Sequence, residues 1–334
     1  MKIKEYKGLI FKLAAALSII SSAYVYAGWP FFHFITYAGG SRKGRGNENR
    51  KKWFSLKHTK INHPTYEHAR EYREARDWCR KQKMEEWYIR SMDGLMLHAS
   101  YLEALNPKRF VILCHGYRGS RFGSVANIAK YLHREGCNLL FIDQRCCGES
   151  DGKYITFGAK EQYDVIEWIN RIQKENHKRL PIYLYGQSMG ATSILLASGH
   201  SLPNEVKGII ADCGFHSMKQ QLRDMASEWF HLKRIGILLF RVDLFCHIFG
   251  GFSMKDTDVT MALKLNQSPV LFFHGEKDTY VSPVNSIYNY ELCKAEKELV
   301  MIPKSRHLCC SYDAPAYYRK KLMDFFGKYD KETV

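Results

Sequence analysis

Leu180-Pro181-Ile182-Tyr183-Leu184-Tyr185-Gly186-Gln187-Ser188-Met189-Gly190-Ala191 is the stretch on which the reading of this chain turns. Its first half is a short apolar run, long enough for a buried strand. Small residues from Ala191 to Ser198 then permit a helix. Between them Ser188 sits in Gly-x-Ser-x-Gly, at a sharp strand-to-helix turn. A serine hydroxyl is a weak nucleophile unless it is held exposed beside a base. Glycine at 186 and 190 lets neighbouring backbone crowd around it where a side chain would clash.

Working outward, strands and helices alternate. Trp87–Arg90 and Leu95–Leu102 flank Asp93-Gly94, a hairpin signal. Strands are expected at 110–114, 138–143, 182–185, 206–211, 270–273 and 299–302, giving eight in all. Helices are expected at 124–134, 160–174, 189–198, 283–293 and 314–326. This pattern predicts an α/β fold with a mostly parallel sheet covered on both faces. One stretch breaks it. His216 to Gln267 holds no strand pattern and reads as a helical insertion over the C-terminal edge of the sheet, where open α/β folds bind ligands. Its run Ile235–Phe240 is apolar enough to form one wall of an acyl pocket.

A serine nucleophile needs a base, and the base an orienting acid. Asp278 follows the strand ending at Phe273, and His307 follows the strand ending at Ile302. The order Ser188, Asp278, His307 is that of strand-end triads in doubly covered sheets. Asp212, at the end of the 206–211 strand, is the rival acid. An acyl intermediate also needs two N–H donors for its oxyanion. The amide of Met189 supplies one and that of Tyr117, in the loop His115-Gly116-Tyr117-Arg118-Gly119, the other. His115 reads as structural, and Asp143 and Arg145 as braces of their loop.

The 334 residues carry a net charge of +16, with 50 Lys and Arg against 34 Asp and Glu. Much of the excess lies between Arg42 and Lys60, which reads as a basic linker over residues 39–65. Beside a hydrophobic segment, such a patch fits an anionic membrane surface or a solvated linker better than nucleic acid. Leu13 to Trp29 carries no charge and is just long enough to span a bilayer, with Tyr24, Tyr26, Trp29, Phe31, Phe32 and Phe34 at its far end. Residues 1–38 are therefore expected to form a single-pass membrane anchor, with a cleaved signal peptide and an interfacial helix as alternatives. On that reading the catalytic domain is 66–330, with 216–267 as its cap, and residues 1–38 are dispensable for its core. The ten cysteines form no CxxC pair and no zinc spacing, and read as free thiols. Neither metal nor organic cofactor is expected.

These motifs together resemble the α/β-hydrolase superfamily, in particular the serine aminopeptidase S33 and monoacylglycerol lipase-like group, and bacterial members with an N-terminal hydrophobic segment. The resemblance rests on Ser91-Met92-Asp93-Gly94, His115-Gly116-Tyr117, Asp143-Gln144-Arg145, Gly186–Gly190, His274-Gly275-Glu276-Lys277-Asp278 and His307. Where relatives continue Asp-x-Arg with Gly, this chain has Cys146. The resemblance implies hydrolysis of an ester, thioester or amide through an acyl-enzyme on Ser188. It also favours an extracytoplasmic catalytic domain. The apolar insertion favours a carboxylesterase or lysophospholipase acting on a hydrophobic acyl group. A serine peptidase of the same fold, and a non-catalytic membrane-tethered binding protein, are the alternatives.

Overall fold

The computed structural model describes residue 26, residues 28–38 and residues 67–330. In chain order the elements are α1 (Trp29–Thr36), α2 (Ala69–Lys81), β1 (Glu85–Arg90), β2 (Met96–Leu102), β3 (Arg109–Cys114), α3 (Ala126–Arg134), β4 (Cys137–Asp143), α4 (Glu161–Glu175), β5 (Ile182–Gln187), α5 (Met189–Ala197) and β6 (Val206–Asp212). There follow α6 (Met218–Phe230), α7 (Gly236–Phe245), a π-helical turn (Cys246–Gly250), a 3-10 turn (Met254–Thr257) and α8 (Thr260–Leu265). The chain closes with β7 (Val270–Gly275), α9 (Val284–Leu292), β8 (Lys297–Ile302), α10 (Cys310–Asp313) and α11 (Pro315–Tyr329).

The eight strands form one sheet in the order β1-β2-β4-β3-β5-β6-β7-β8. β1 pairs β2 and β2 pairs β4 antiparallel, and every later pairing is parallel. Side-chain alternation splits the core between the two faces. Phe110, Ile112, Ile182, Leu184, Val270 and Phe272 face the helices α4, α5 and α8, with Trp168, Leu195 and Leu263. Their neighbours Val111, Leu113, Tyr183, Tyr185, Leu271 and Phe273 face α2, α3 and α11, with Cys79, Leu132 and Phe326. Burial on both sides explains why β3, β4, β5 and β7 read as continuous apolar runs. The parallel arrangement puts the C-terminal ends of β3, β5, β6, β7 and β8 on one edge, where the candidate site lies. All ten cysteines are buried and unpaired.

The membrane anchor is corrected. Among the described residues no helix is long and apolar enough to cross a membrane. The aromatic end of the hydrophobic run is α1, an eight-residue helix docked on the domain. Its Phe32 is fully buried. Trp29 packs edge-on against Phe245 and Phe249, with ring centroids 5.4 and 4.8 Å apart, and Phe32 lies 5.2 Å from Tyr154. The aromatics expected at a bilayer interface are thus partly satisfied by protein, which the sequence pattern does not distinguish from lipid. The remainder of the run, residues 1–25 and 27, lies outside the described residues, as does the basic linker at 39–65.

It follows that residues up to 38 are not all dispensable. Backbone bonds tie α1 to the body, with Ile155 N donating to Thr36 O at 2.7 Å and Ala38 N to Lys153 O at 3.0 Å. Phe32→Ala is expected to cost about 3–5 kcal/mol, the usual loss for emptying a buried phenylalanine site. Urea unfolding at constant m-value measures it, and a midpoint equal to that of the wild type would show that α1 is not part of the cooperative core.

Candidate active site

β5 ends at Gln187, and α5 begins at Met189. Ser188 joins them with φ 54° and ψ −121°, a conformation rarely taken by a residue with a side chain. Two close approaches make the turn possible. A methyl group on Gly186 would strike the carbonyl of Gly190, and one on Gly190 would strike that of Cys114. The strained turn holds the Ser188 hydroxyl at the strand end, in front of the N-terminus of α5.

His307 lies in the loop after β8. Its Nε2 is 3.1 Å from Ser188 Oγ, and its Nδ1 is 2.6 Å from Asp278 Oδ2. These partners assign the proton to Nδ1, leaving Nε2 to accept from the serine. Asp278 lies in the turn after β7, where its Oδ1 accepts from the amides of Tyr280 at 2.8 Å and Val281 at 2.9 Å. Burial pushes the Asp278 carboxyl up, but the adjacent His307 and hydrogen bonds from His274 and His307 outweigh it, so the group is held well below the usual carboxylate range.

The structure therefore brings Ser188, His307 and Asp278 into one hydrogen-bonded chain. Asp212 is not in it. Its Oδ2 accepts from Gln187 Nε2 at 3.2 Å and Tyr318 OH at 3.0 Å, and burial raises its pKa. Its main-chain oxygen accepts from Ser188 N at 2.8 Å, which helps seat the turn. His115 takes backbone partners, with Gly116 O 2.8 Å from Nδ1 and Gln144 N donating to Nε2 at 3.2 Å.

The β3 loop reaches the same place. A Cβ on Gly116 would lie 3.3 Å from Ser188 Cβ, so this backbone runs against the serine. Tyr117 follows it and borders the cleft over Ser188. Met189 is the first residue of α5, where a helix leaves its amides without intrahelical partners. Behind the loop, Asp143 accepts from Arg121 at 2.6 Å and the Glu149 amide at 3.0 Å, and lies 2.9 Å from His98 Nδ1. Arg145 forks onto Asp164 with two 2.7 Å bonds and also reaches Asp93. Cys146 adopts φ 67° in place of the expected glycine, so the left-handed turn persists with a side chain in it.

Sequence reasoning missed several neighbours. His274 lies 3.2 Å from Asp278 through Nε2 and 2.6 Å from Ser286 Oγ through Nδ1, so it braces the acid. Its place in His-Gly-x-x-Asp was the available signal. Tyr280 stacks on the His307 ring at 4.8 Å. Tyr72 and Arg76, one turn apart on α2, border the cleft, and nothing in their spacing announces it.

The acyl-pocket wall expected from Ile235–Phe240 is not at the cleft. Among the described residues the cleft, about 330 Å³, is bordered by Tyr72, Arg76, Tyr117, Arg118, Tyr280 and Leu308, with glycines and serines of the β3 loop. Leu239 instead packs into a cluster with Phe32, Val242, Phe245 and Met189, against which the cleft residues Tyr117 and Tyr280 also pack. Ile237 and Phe240 remain 61% and 71% exposed. The run serves mainly to pin the insertion and α1 to the body. A larger surface depression of about 540 Å³, bordered by His200, Lys255, Met261 and Leu265, lies away from Ser188.

Among the described residues two groups have metal-ligating atoms within 4.8 Å of one another, Cys213 with Asp278 and His307, and Glu67 with His68 and Cys309. In each the histidine already pairs with a carboxylate, His307 with Asp278 and His68 with Asp313 at 2.8 Å. Burial pushes the Cys213 thiol far up, which disfavours the thiolate a metal would bind.

Comparison with known proteins agrees with this architecture. The family model described as serine aminopeptidase, S33 matches residues 105–244. YqkD of Bacillus subtilis, an uncharacterized protein, is 28% identical over 67% of this chain and 72% of its own length. The monoglyceride lipase of Rattus norvegicus is 25% identical over 37% of this chain and 41% of its own. Among solved structures, the esterase Pf2001 of Pyrococcus furiosus superposes with a TM-score of 0.60, at 20% identity, over 74% of this chain and 93% of its own. The chain has the α/β-hydrolase fold. Over residues 105–244 its sequence is similar to that of a hydrolase family.

Proposed function

We propose that the protein is a serine ester hydrolase acting through an acyl-enzyme on Ser188. The observation that carries this reading is the chain of short contacts Ser188 Oγ–His307 Nε2–His307 Nδ1–Asp278 Oδ2. Ser188 Oγ attacks the acyl carbonyl while His307 Nε2 takes its proton. Asp278 holds the Nδ1–H tautomer and stabilises the imidazolium. The amides of Tyr117 and Met189 hold the oxyanion. The tetrahedral intermediate expels the alcohol, which leaves with the proton from His307. Water then gives a proton to His307 and its oxygen to the acyl carbon, the bond to Ser188 breaks, and the proton returns to the serine.

In the same reading residues 66–330, joined by α1, are the catalytic domain, and 216–267 is its cap. Esterase stands ahead of peptidase because the similar proteins include a monoglyceride lipase and an esterase. The serine aminopeptidase description of the family model supports the second reading, cleavage of an amide. The cleft offers tyrosine faces and Leu308 to a short acyl group, so carboxylesterase precedes lysophospholipase.

Hydrolysis of 4-nitrophenyl esters from acetate to decanoate, beside aminoacyl 4-nitroanilides, tests it. Each CH₂ buried is worth about 0.8 kcal/mol, so kcat/KM is expected to rise roughly tenfold from acetate to butyrate and to level off before decanoate. Cleavage of nitroanilides without cleavage of esters would move the assignment to a peptidase.

A further inference from the structure

Among the described residues two arginines border the cleft over Ser188, and no carboxylate does. Arg76 projects from α2, and its guanidinium lies over the Tyr72 ring at 5.4 Å. Arg118 follows Tyr117 on the β3 loop and lies 5.0 Å over that ring and 5.7 Å over Phe34. Among the described residues most arginines near the core meet acids. Arg109 pairs with Asp330, Arg121 with Asp143, and Arg145 with Asp164 and Asp93. Arg76 and Arg118 form no such pair with any described residue. The Nε of each is buried without a hydrogen-bond partner. Arg118 Nη2 does donate to the carbonyls of Phe34 and Tyr37, but those acceptors satisfy a hydrogen bond and leave the charge uncompensated.

Half-buried positive charge without a partner is unfavourable, and it persists in a cleft where a ligand supplies the missing sign. The guanidinium suits carboxylate and phosphate through its forked donors, and aromatic faces beneath it hold the fork in place. We propose that the substrate carries an anionic group, a carboxylate or a phosphate, close to its ester, and that Arg76 and Arg118 bind it. This inference rests on Ser188 being the nucleophile of an esterase. Arg76 and Arg118 then determine specificity, binding the part of the substrate that does not react, while Ser188 and His307 act on the acyl carbon.

The test uses the full-length protein and three matched ester pairs, each differing in one anionic group. Ethyl hydrogen adipate against ethyl hexanoate places a carboxylate on the acyl side. 4-(Butyryloxy)benzoate against its methyl ester places it on the alcohol side. Butyrylglycerol 3-phosphate against monobutyrin offers a phosphate. The quantity read is the ratio of kcat/KM within each pair, so losses common to both members cancel.

The wild type is expected to favour the charged member of at least one pair by about 10- to 100-fold, the range of one or two charge-assisted hydrogen bonds. The favoured pair identifies the anion and its side. Arg76→Gln should lower that ratio about tenfold, chiefly through KM, and Arg76→Lys should restore part of it. Arg118→Gln should lower it too, although this variant also loses its bonds to Phe34 and Tyr37. Added salt should compress the ratio. Ratios at or below one in all three pairs, or a ratio unmoved by Arg76→Gln and Arg118→Gln, would overturn the inference while leaving the esterase standing. No hydrolysis of any member, neutral or charged, would overturn both.

Discussion

Ser188→Ala is expected to fold normally and to lose about 10⁴–10⁶-fold in kcat on any accepted ester. The fold is unaffected because the strained turn is held by backbone, through the contacts at Gly186 and Gly190 and the Ser188 N to Asp212 O bond, and not by the hydroxyl. Alanine also relieves nothing in φ, so the melting temperature should change little. The activity is affected because, among the described residues, Ser188 Oγ is the hydroxyl hydrogen-bonded to His307 Nε2, at 3.1 Å. Wild-type turnover of a 4-nitrophenyl ester by this variant would mean that the nucleophile lies elsewhere.

Asp278→Asn should cost about 10⁴-fold in kcat. The side chain would still accept from the Tyr280 and Val281 amides through Oδ1. Its amide NH₂ would then face His307 Nδ1 and donate to it, which drives the imidazole proton to Nε2. The ring would point a hydrogen at Ser188 instead of a lone pair. Asp212→Asn should cost far less, because Asp212 bonds Gln187 and Tyr318 and not the imidazole. Steady-state kinetics of the two variants decide the acid, and the opposite ranking would transfer the role to Asp212. The same carboxylate has a consequence for stability. Burial acts to raise the Asp278 pKa, but His307 and His274 hold it below its unfolded value. Its contribution to stability is therefore full above about pH 4, the ordinary carboxylate value, and is lost as the pH falls through the depressed folded value.

The sheet was legible because its strands are buried on both faces, so apolar runs and their spacing carry the topology. Element ends moved by a residue or more, as at β6, which runs on to Asp212, and β8, which begins at Lys297. Ser188, Asp278 and His307 were legible for a different reason. Each follows a strand of a parallel sheet, and strand ends in such a sheet converge. What escaped was contact between distant segments. The aromatics of α1 look the same in sequence whether they meet lipid or Phe245 and Phe249. Leu239 and Phe240 are adjacent and equally apolar, yet one is buried in the cap contact and the other is 71% exposed. Arg76 is one of many charges along α2, and only the fold sets it at the cleft over Ser188.

The central claim is that Ser188 is an activated nucleophile, and covalent labelling tests it without knowledge of the substrate. The full-length protein is treated with a fluorophosphonate, and the adduct is located by peptide mass mapping. One adduct per chain is expected, on Ser188, with labelling abolished in Ser188→Ala and strongly slowed in Asp278→Asn. Labelling of another residue, or none on a folded protein, would contradict it.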